Sequence, residues 1–483
     1  MNRRGFIHGA LASAAAVVAY NPTRGVWAAE PDPNAIDIPD LDGDLVLAGD
    51  VLGDAADDFG HIIHSAPVAV LFPGSVDDIV KLIKFANTHG IKLGGMSMIG
   101  DTHSTYGQSQ VAGGVVIDMS SLAEIHEISD DSALVDAGVR WIDLLQESLM
   151  VGKSPPTLTD YIDLSIGGTL SVGGIGGQVF AHGLQVDNVL ELQVVTGKGK
   201  LVTCSPTQRK KLFNSVRAGL GQFGIIVRAR VRLVDVPSMV RVYTALYTEL
   251  ADMTCDQEIV IDDGRFDYVE GFAEPDPGGS GWIYKIEAAK YFEPGDEPDD
   301  DALTSDLSYN QDTLATSDAS YFDFANRIAP VVAFLKQIGA WGLPHPWIDL
   351  FVPGDEAVDF IQGVLDQTTL TDTGQGPILI YPFKRSKVHT RFLALPHTET
   401  IYLFSILRTA VPPVLAEDLV VKNREIYEEL RDLGGKRYPI SAIPFDAADW
   451  HEHFGNKSWK FFKAKLKFDP CNVLTPGQGI FSW

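Results

Sequence analysis

Gly94-Gly95-Met96-Ser97-Met98-Ile99-Gly100-Asp101-Thr102-His103-Ser104 sets three glycines and one histidine in a run of eleven residues. Further on, Ser165-Ile166-Gly167-Gly168-Thr169-Leu170-Ser171-Val172-Gly173-Gly174-Ile175-Gly176-Gly177 is richer still. Glycine lets the backbone come close to a ligand, and its N–H groups can surround a phosphate without any basic side chain. Composition alone leaves both stretches open to a second reading, as tight structural turns.

The flanks place the first stretch. Val68 to Phe72 reads as a short apolar strand ended by Pro73-Gly74. Ser75 then fits an N-cap, with Asp77 and Asp78 in a first turn where the helix dipole favours acids. Ile79, Leu82, Ile83 and Ala86 follow helical spacing and Gly90 ends the run. Ile91-Lys92-Leu93 starts another strand, which leads into a loop from Gly94 to Gln108. Ordered pattern thus begins near Ala66. Gly114 to Met119, Ala133 to Gly138 and Val189 to Val195 are further strands, and Trp141 to Met150 a helix. Gly197-Lys198-Gly199 reads as a hairpin turn before Leu201 to Cys204.

Near Pro237 the pattern changes. Arg241-Val242-Tyr243, Trp282-Ile283-Tyr284 and Ile378-Leu379-Ile380-Tyr381 alternate as an antiparallel sheet does. Glu293 to Asp301 is an acidic insert, expected as a solvated loop, and from about Leu433 the chain turns loop-rich. The fold class is α+β, in a chain of 483 residues that is too long for one ordinary core. One motif misleads. Gly219-Leu220-Gly221-Gln222-Phe223-Gly224 satisfies G-x-G-x-x-G, but that site needs a strand before it and a helix after it. Here Lys211 to Arg217 reads as a helix and Ile225 to Leu233 as a strand, so the order is reversed.

The net charge of -26 disfavours nucleic acid and anionic lipid, so neither nucleic-acid partners nor stable membrane binding is expected. The N-terminus differs. Arg3-Arg4 precede an apolar run from Ile7 to Ala19, followed by Val26-Trp27-Ala28-Ala29. That order describes a signal peptide with cleavage near Ala28, and the arginine pair resembles the twin-arginine export signal of bacteria. A periplasmic or secreted location follows from it. Chance arginines on a frayed helix are the alternative. Cys204, Cys255 and Cys471 have neither C-x-x-C nor metal spacing; they read as small buried hydrophobes, and no metal site is expected.

Several motifs, in order, carry a resemblance. They are Gly100-Asp101-Thr102-His103-Ser104 with Gly107-Gln108, Thr159-Asp160-Tyr161, Gly167-Gly168-Thr169-Leu170-Ser171 and Gly219 to Ile226. Late in the chain come His345-Pro346-Trp347, Gly376-Pro377-Ile378-Leu379, and Phe468-Asp469-Pro470 with Pro476-Gly477-Gln478. This set resembles the cytokinin dehydrogenases, FAD-linked oxidases of the vanillyl-alcohol oxidase type. The resemblance implies a two-part FAD-binding domain and a substrate domain whose antiparallel sheet is covered by helices. The implied bounds are a signal over residues 1–29, the FAD-binding domain over 30–237, the substrate domain over 238–432, and a return to the FAD-binding domain over 433–483.

Residue by residue, the resemblance makes His103 the covalent attachment point of FAD, although Asp101 and Thr102 depart from the family's usual pair. A hydrogen-bonded loop histidine is the alternative reading. It places Met98, Gly100, Asp101, Thr102, Ser104, Gln108, Ser165, Ser171, Ile175, Ile226, Thr475 and Gln478 against the cofactor. Asp160 takes the place of the catalytic carboxylate, touching both flavin and substrate; by itself it could equally be a turn cap. Trp347, Asp349 and Val331 fall at the substrate cavity, with Asp349 where an asparagine is usual and Val331 in an apolar stretch where plant members carry an acid. The implied reaction oxidises the side chain of an N6-substituted adenine, a small-molecule amine, with oxygen or quinone as electron acceptor. An alcohol or carbohydrate oxidase on the same fold is the runner-up, and an exported flavin-containing binding protein the reading from another class.

Overall fold

A computed structural model describes residues 19–28, 34–279, 281–374 and 376–481. Of the export signal expected over residues 1–29, residues 1–18 and 29 lie outside these. A four-stranded sheet comes first, from Asp44–Val46 (β1), Ala69–Phe72 (β2), Leu93–Met96 (β3) and Val115–Asp118 (β4), in the order β1-β2-β4-β3. β2, β4 and β3 run parallel, and β1 pairs antiparallel to β2. Order therefore begins before Ala66, and Gly94 and Gly95 belong to a strand rather than to a loop. The reason is that the Leu93 N–H and C=O bond Val473 and Thr475 of the distant C-terminal segment, which extends the pairing.

Val76–His89 (α1) joins β2 to β3 and buries Ile79, Leu82, Ile83 and Ala86. Its start is fixed by Asp78, whose buried carboxylate accepts from the N–H groups of Asp42, Gly43, Gly74 and Ser75. Gly90 ends it at φ 71°, a left-handed turn that favours glycine. Against the other face of α1 lies a small sheet of Ala19–Asn21, Val26–Ala28 and Ile36–Asp37, with Tyr20 and Trp27 on Phe85.

The second sheet is antiparallel. Ile125–Ile128 (β5), Ser132–Asp136 (β6), Val189–Thr196 (β7), Leu201–Cys204 (β8) and Gly224–Arg232 (β9) stand in the order β8-β7-β9-β6-β5. Trp141–Leu149 (α2) and Ile166–Val172 (α3) follow β6, so the second glycine stretch folds in part as a helix. Gly219 to Gly224 comes after the helix Lys210–Val216 and before β9, the order the sequence indicates and the reverse of a dinucleotide fingerprint.

Residues from Met239 build an eight-stranded antiparallel sheet. Its strands are Met239–Tyr247 (β10), Tyr268–Pro275 (β11), Trp282–Phe292 (β12), Ala315–Ser320 (β13), Ile348–Pro353 (β14), Ile378–Lys384 (β15), Thr400–Ile406 (β16) and Lys436–Arg437 (β17), in the order β13-β10-β12-β11-β15-β16-β14-β17. Leu250–Asp263 (α4) and Ala357–Gln367 (α6) bury apolar faces against it, and Ala329–Gln337 (α5) lies at the edge of the cavity described below. Of the acidic insert Glu293 to Asp301, Glu293 to Glu297 is exposed as expected, but Asp300 and Asp301 begin a short helix, Asp300–Thr304, and Asp300 accepts from Arg241 and Tyr243. The cysteines correct the sequence reading, because only Cys204 is buried while Cys255 and Cys471 are exposed. Cys255 lies on the solvent side of α4 and Cys471 in the turn after Phe468, so neither packs into a core. Among the described residues no helix is long and apolar enough to cross a membrane.

Candidate active site

A cavity of about 1050 Å³ runs between the first two sheets and the eight-stranded one. Ligand cavities commonly fall between about 300 and 1,000 Å³, so this one suits a large ligand. One half is lined by Met98, Asp101, Thr102, His103, Ser104 and Gln108 of the first glycine loop, by Ser165, Ser171 and Ile175 around α3, and by Ile226, Thr475 and Gln478. Gly100 does not line it. It instead turns the loop at φ 88°, beside Met98 at φ 60°. The basic residues that line the cavity, Lys285 and Arg327, both come from the eight-stranded part. A phosphate in the glycine-lined half would therefore meet backbone N–H and hydroxyl groups rather than cations. Gln478 adds a buried side-chain oxygen with no hydrogen-bond partner. Small residues, hydroxyl groups and an unmatched polar atom fit FAD.

His103 sits where the glycine-lined half meets the substrate half. Its imidazole stacks on Phe59 with centroids 4.2 Å apart and meets Tyr161 and Trp347 at 5.2 and 5.3 Å. Burial, with the neighbouring His345, pushes its pKa down to about 3. The ring is neutral at physiological pH, which leaves a nitrogen lone pair available as a nucleophile.

Asp160 lies in the loop before α3 and caps no helix. Two donors reach the same oxygen, Oδ1: the Tyr268 hydroxyl at 2.9 Å and Arg327 Nη2 at 2.6 Å. Among the described residues no hydrogen bond reaches Oδ2, and Asp160 lines the cavity. Arg327 also bonds Glu287 through Nε at 3.2 Å and lies 3.7 Å from Glu270. Among the described residues neither oxygen of the fully buried Glu270 has a hydrogen-bond partner. Burial first, and the Asp160 charge second, push the Glu270 carboxyl well above the usual carboxylate range, which favours its protonated form.

Trp347 and Asp349 both line the substrate half, Asp349 from β14. The Asp349 Oδ2 has no hydrogen-bond partner, and burial pushes its carboxyl up to about 7. Val331 stands on α5 at the rim, about half exposed, while the next residue, Val332, is buried and faces inward. Sequence reasoning missed Arg327, Tyr268, Glu270, Glu287 and Phe59. One signal was present: Glu270 interrupts Tyr268-Val269-Glu270-Gly271-Phe272 with a charge on a strand that otherwise reads as buried.

This geometry agrees with what the chain is similar to. Residues 67–205 match a family described as an FAD binding domain, and residues 276–481 match one described as cytokinin dehydrogenase 1, FAD and cytokinin binding. Cytokinin dehydrogenase 2 of Arabidopsis thaliana is 37% identical over 480 residues, covering 92% of this chain and 95% of that protein. The chain belongs to the cytokinin dehydrogenase family. Cytokinin dehydrogenase 8 of Oryza sativa subsp. indica is 37% identical over 482 residues, covering 88% and 90% of the two chains. An uncharacterized oxidoreductase, ORF5 in the fasciation locus of Rhodococcoides fascians, is 40% identical over 426 residues, covering 88% and 96%. The protein is thus an FAD-dependent oxidoreductase of this family, acting on a small molecule.

Proposed function

We propose that this cytokinin dehydrogenase relative oxidises the side chain of an N6-substituted adenine to an imine, which water cleaves to adenine and an aldehyde. The observation that carries the reading is the free Oδ2 of Asp160, in a cavity it shares with His103 and Trp347. FAD held in the glycine-lined half, by Ser165, Ser171, Thr475 and Gln478 among others, would supply the two-electron acceptor for the hydride. Asp160 holds or takes the amine proton, so that the hydrogen on the adjacent carbon can leave as hydride and the C=N bond forms. Trp347 gives the planar base an apolar face, and α5 partly screens the site from water.

In the same reading His103 carries FAD covalently. The Arg3-Arg4 leader directs export of the folded, cofactor-loaded protein, and oxygen or a quinone is the final electron acceptor. A carbohydrate or alcohol oxidase is the second reading, favoured by one observation: Asp349 and Ser405, cross-strand neighbours, make part of the cavity wall polar. Anaerobic addition of isopentenyladenine tests the proposal. Bleaching of the bound flavin supports it, whereas bleaching by simple alcohols or sugars alone supports the second reading.

A further inference from the structure

Glu270 on β11 and Glu287 on β12 stand directly opposite each other in register. Like charges in that relation destabilise a sheet unless a cation or a proton intervenes. Asp160 approaches the same place from the loop before α3. Arg327, two residues before α5, reaches all three carboxyl groups with one guanidinium. It also packs over the Tyr268 and Phe324 rings at 4.8 and 4.9 Å, which fixes its plane. The sequence motifs do not include it.

We propose that Arg327 is a positioning residue for the amine oxidation: its one guanidinium balances the three carboxyl groups and holds Oδ1 of Asp160, with Oδ2 turned to the ligand. This rests on the function proposed above. The charge count gives the reason. With Glu270 protonated, Asp160, Glu287 and Arg327 sum to one negative charge, and one proton taken from substrate brings the cluster to zero. Without Arg327 the same cluster carries two negative charges in a low-dielectric cavity and takes a proton from solvent first. Asp160 would then be filled before substrate arrives. The other titratable groups facing the cluster do not substitute for Arg327. Burial keeps the phenols of Tyr268, Tyr291 and Tyr381 protonated, and Lys285 is paired with Glu274.

The experiment compares wild type, Arg327→Met, Arg327→Lys and Asp160→Asn as holoenzymes. Stopped-flow flavin reduction by isopentenyladenine is followed from neutral to alkaline pH. In Arg327→Met the acid limb of the rate should move up by about one to three pH units, the effect of one nearby opposite charge. Reduction is then suppressed at neutral pH and recovers with added base, while Arg327→Lys restores the limb toward wild type. A second readout needs no substrate. Infrared titration should find one more protonated carboxyl at neutral pH in Arg327→Met than in wild type, and the addition of Asp160→Asn should abolish that extra band. If Arg327→Met does not fold, Arg327→Gln, which keeps N–H donors without charge, must give the same shift and the same band. An unshifted limb and no extra band, with only lower flavin content or melting temperature, would overturn the proposal and leave Arg327 a purely structural residue. A wild-type enzyme that isopentenyladenine does not reduce sinks the proposed substrate instead, and the infrared result still decides the role of Arg327.

Discussion

The Phe59 ring lies 4.2 Å from the His103 imidazole on one side and 4.1 Å from His345 on the other, stacked between the two. Stacking on Phe59 orients the His103 ring, and among the described residues no hydrogen bond reaches either of its nitrogens. A neutral, oriented imidazole is what attachment to flavin requires. Acid-precipitated wild-type protein should therefore stay yellow. His103→Ala should bind FAD but release it on denaturation. Colour lost from denatured wild type would refute covalent attachment.

Asp160→Asn keeps the shape and an oxygen for Tyr268 and Arg327 but cannot take a proton near neutral pH. General-base contributions are ~10²–10⁴ in rate. Flavin reduction should slow by about that factor, with a nearly native flavin spectrum and melting temperature. A structural Asp160 would give the opposite pattern, reduced flavin content with normal reduction in the intact fraction.

Asp349 gives a pH dependence with a definite sign. Its carboxyl titrates near 7 in the folded protein, against about 4 unfolded, so the folded state binds the extra proton between those values. The stability this contributes is full below about pH 4 and is lost as pH rises toward 7, by up to about 4 kcal/mol. Asp349→Asn cannot ionise and should lose less. Melting curves at pH 5 and pH 8 check this: the variant should gain on wild type at the higher pH. Parallel curves would show that the carboxyl does not titrate there.

Lys465 and Asp469, both fully buried, are 2.8 Å apart on the helix Ser458–Phe468 and its C-cap. Lys465 also bonds Gln222 Oε1, and Asp469 accepts from Val473 and Leu474 N–H, which ties the C-terminal segment to the Gly219–Gly224 turn. Asp469→Ala strands a buried ammonium and should cost about 3–5 kcal/mol. Replacing both residues by leucine or methionine should cost less than the two single changes summed. Additive losses in thermal melts would argue against coupling.

Export is checked by replacing Arg3 and Arg4 with lysine, which should leave the protein in the cytoplasm. Cleavage near Ala28 would also remove Tyr20 and Trp27 from Phe85. N-terminal sequencing of the exported protein reads the cut directly, and undiminished export of the lysine variant would exclude the twin-arginine route.

Local patterns carried the near-range structure of this protein. Ser75, Asp78, the apolar stripe and Gly90 mark the ends and buried face of α1, because caps and amphipathic spacing act within one or two turns. Likewise the helix–turn–strand order around Gly219 could be read from the chain alone. The ordered series of short motifs pointed to the family and to His103 and Asp160. What surrounds those two residues came only from tertiary structure. Glu270 and Glu287 face each other through strand register, Arg327 reaches them from a different element, and Phe59 stacks on His103 across 44 positions of sequence. Strand register and the docking of distant loops follow from burial of the whole core, so no single stretch encodes them. The charge balance around Asp160 exists only once the chain has folded.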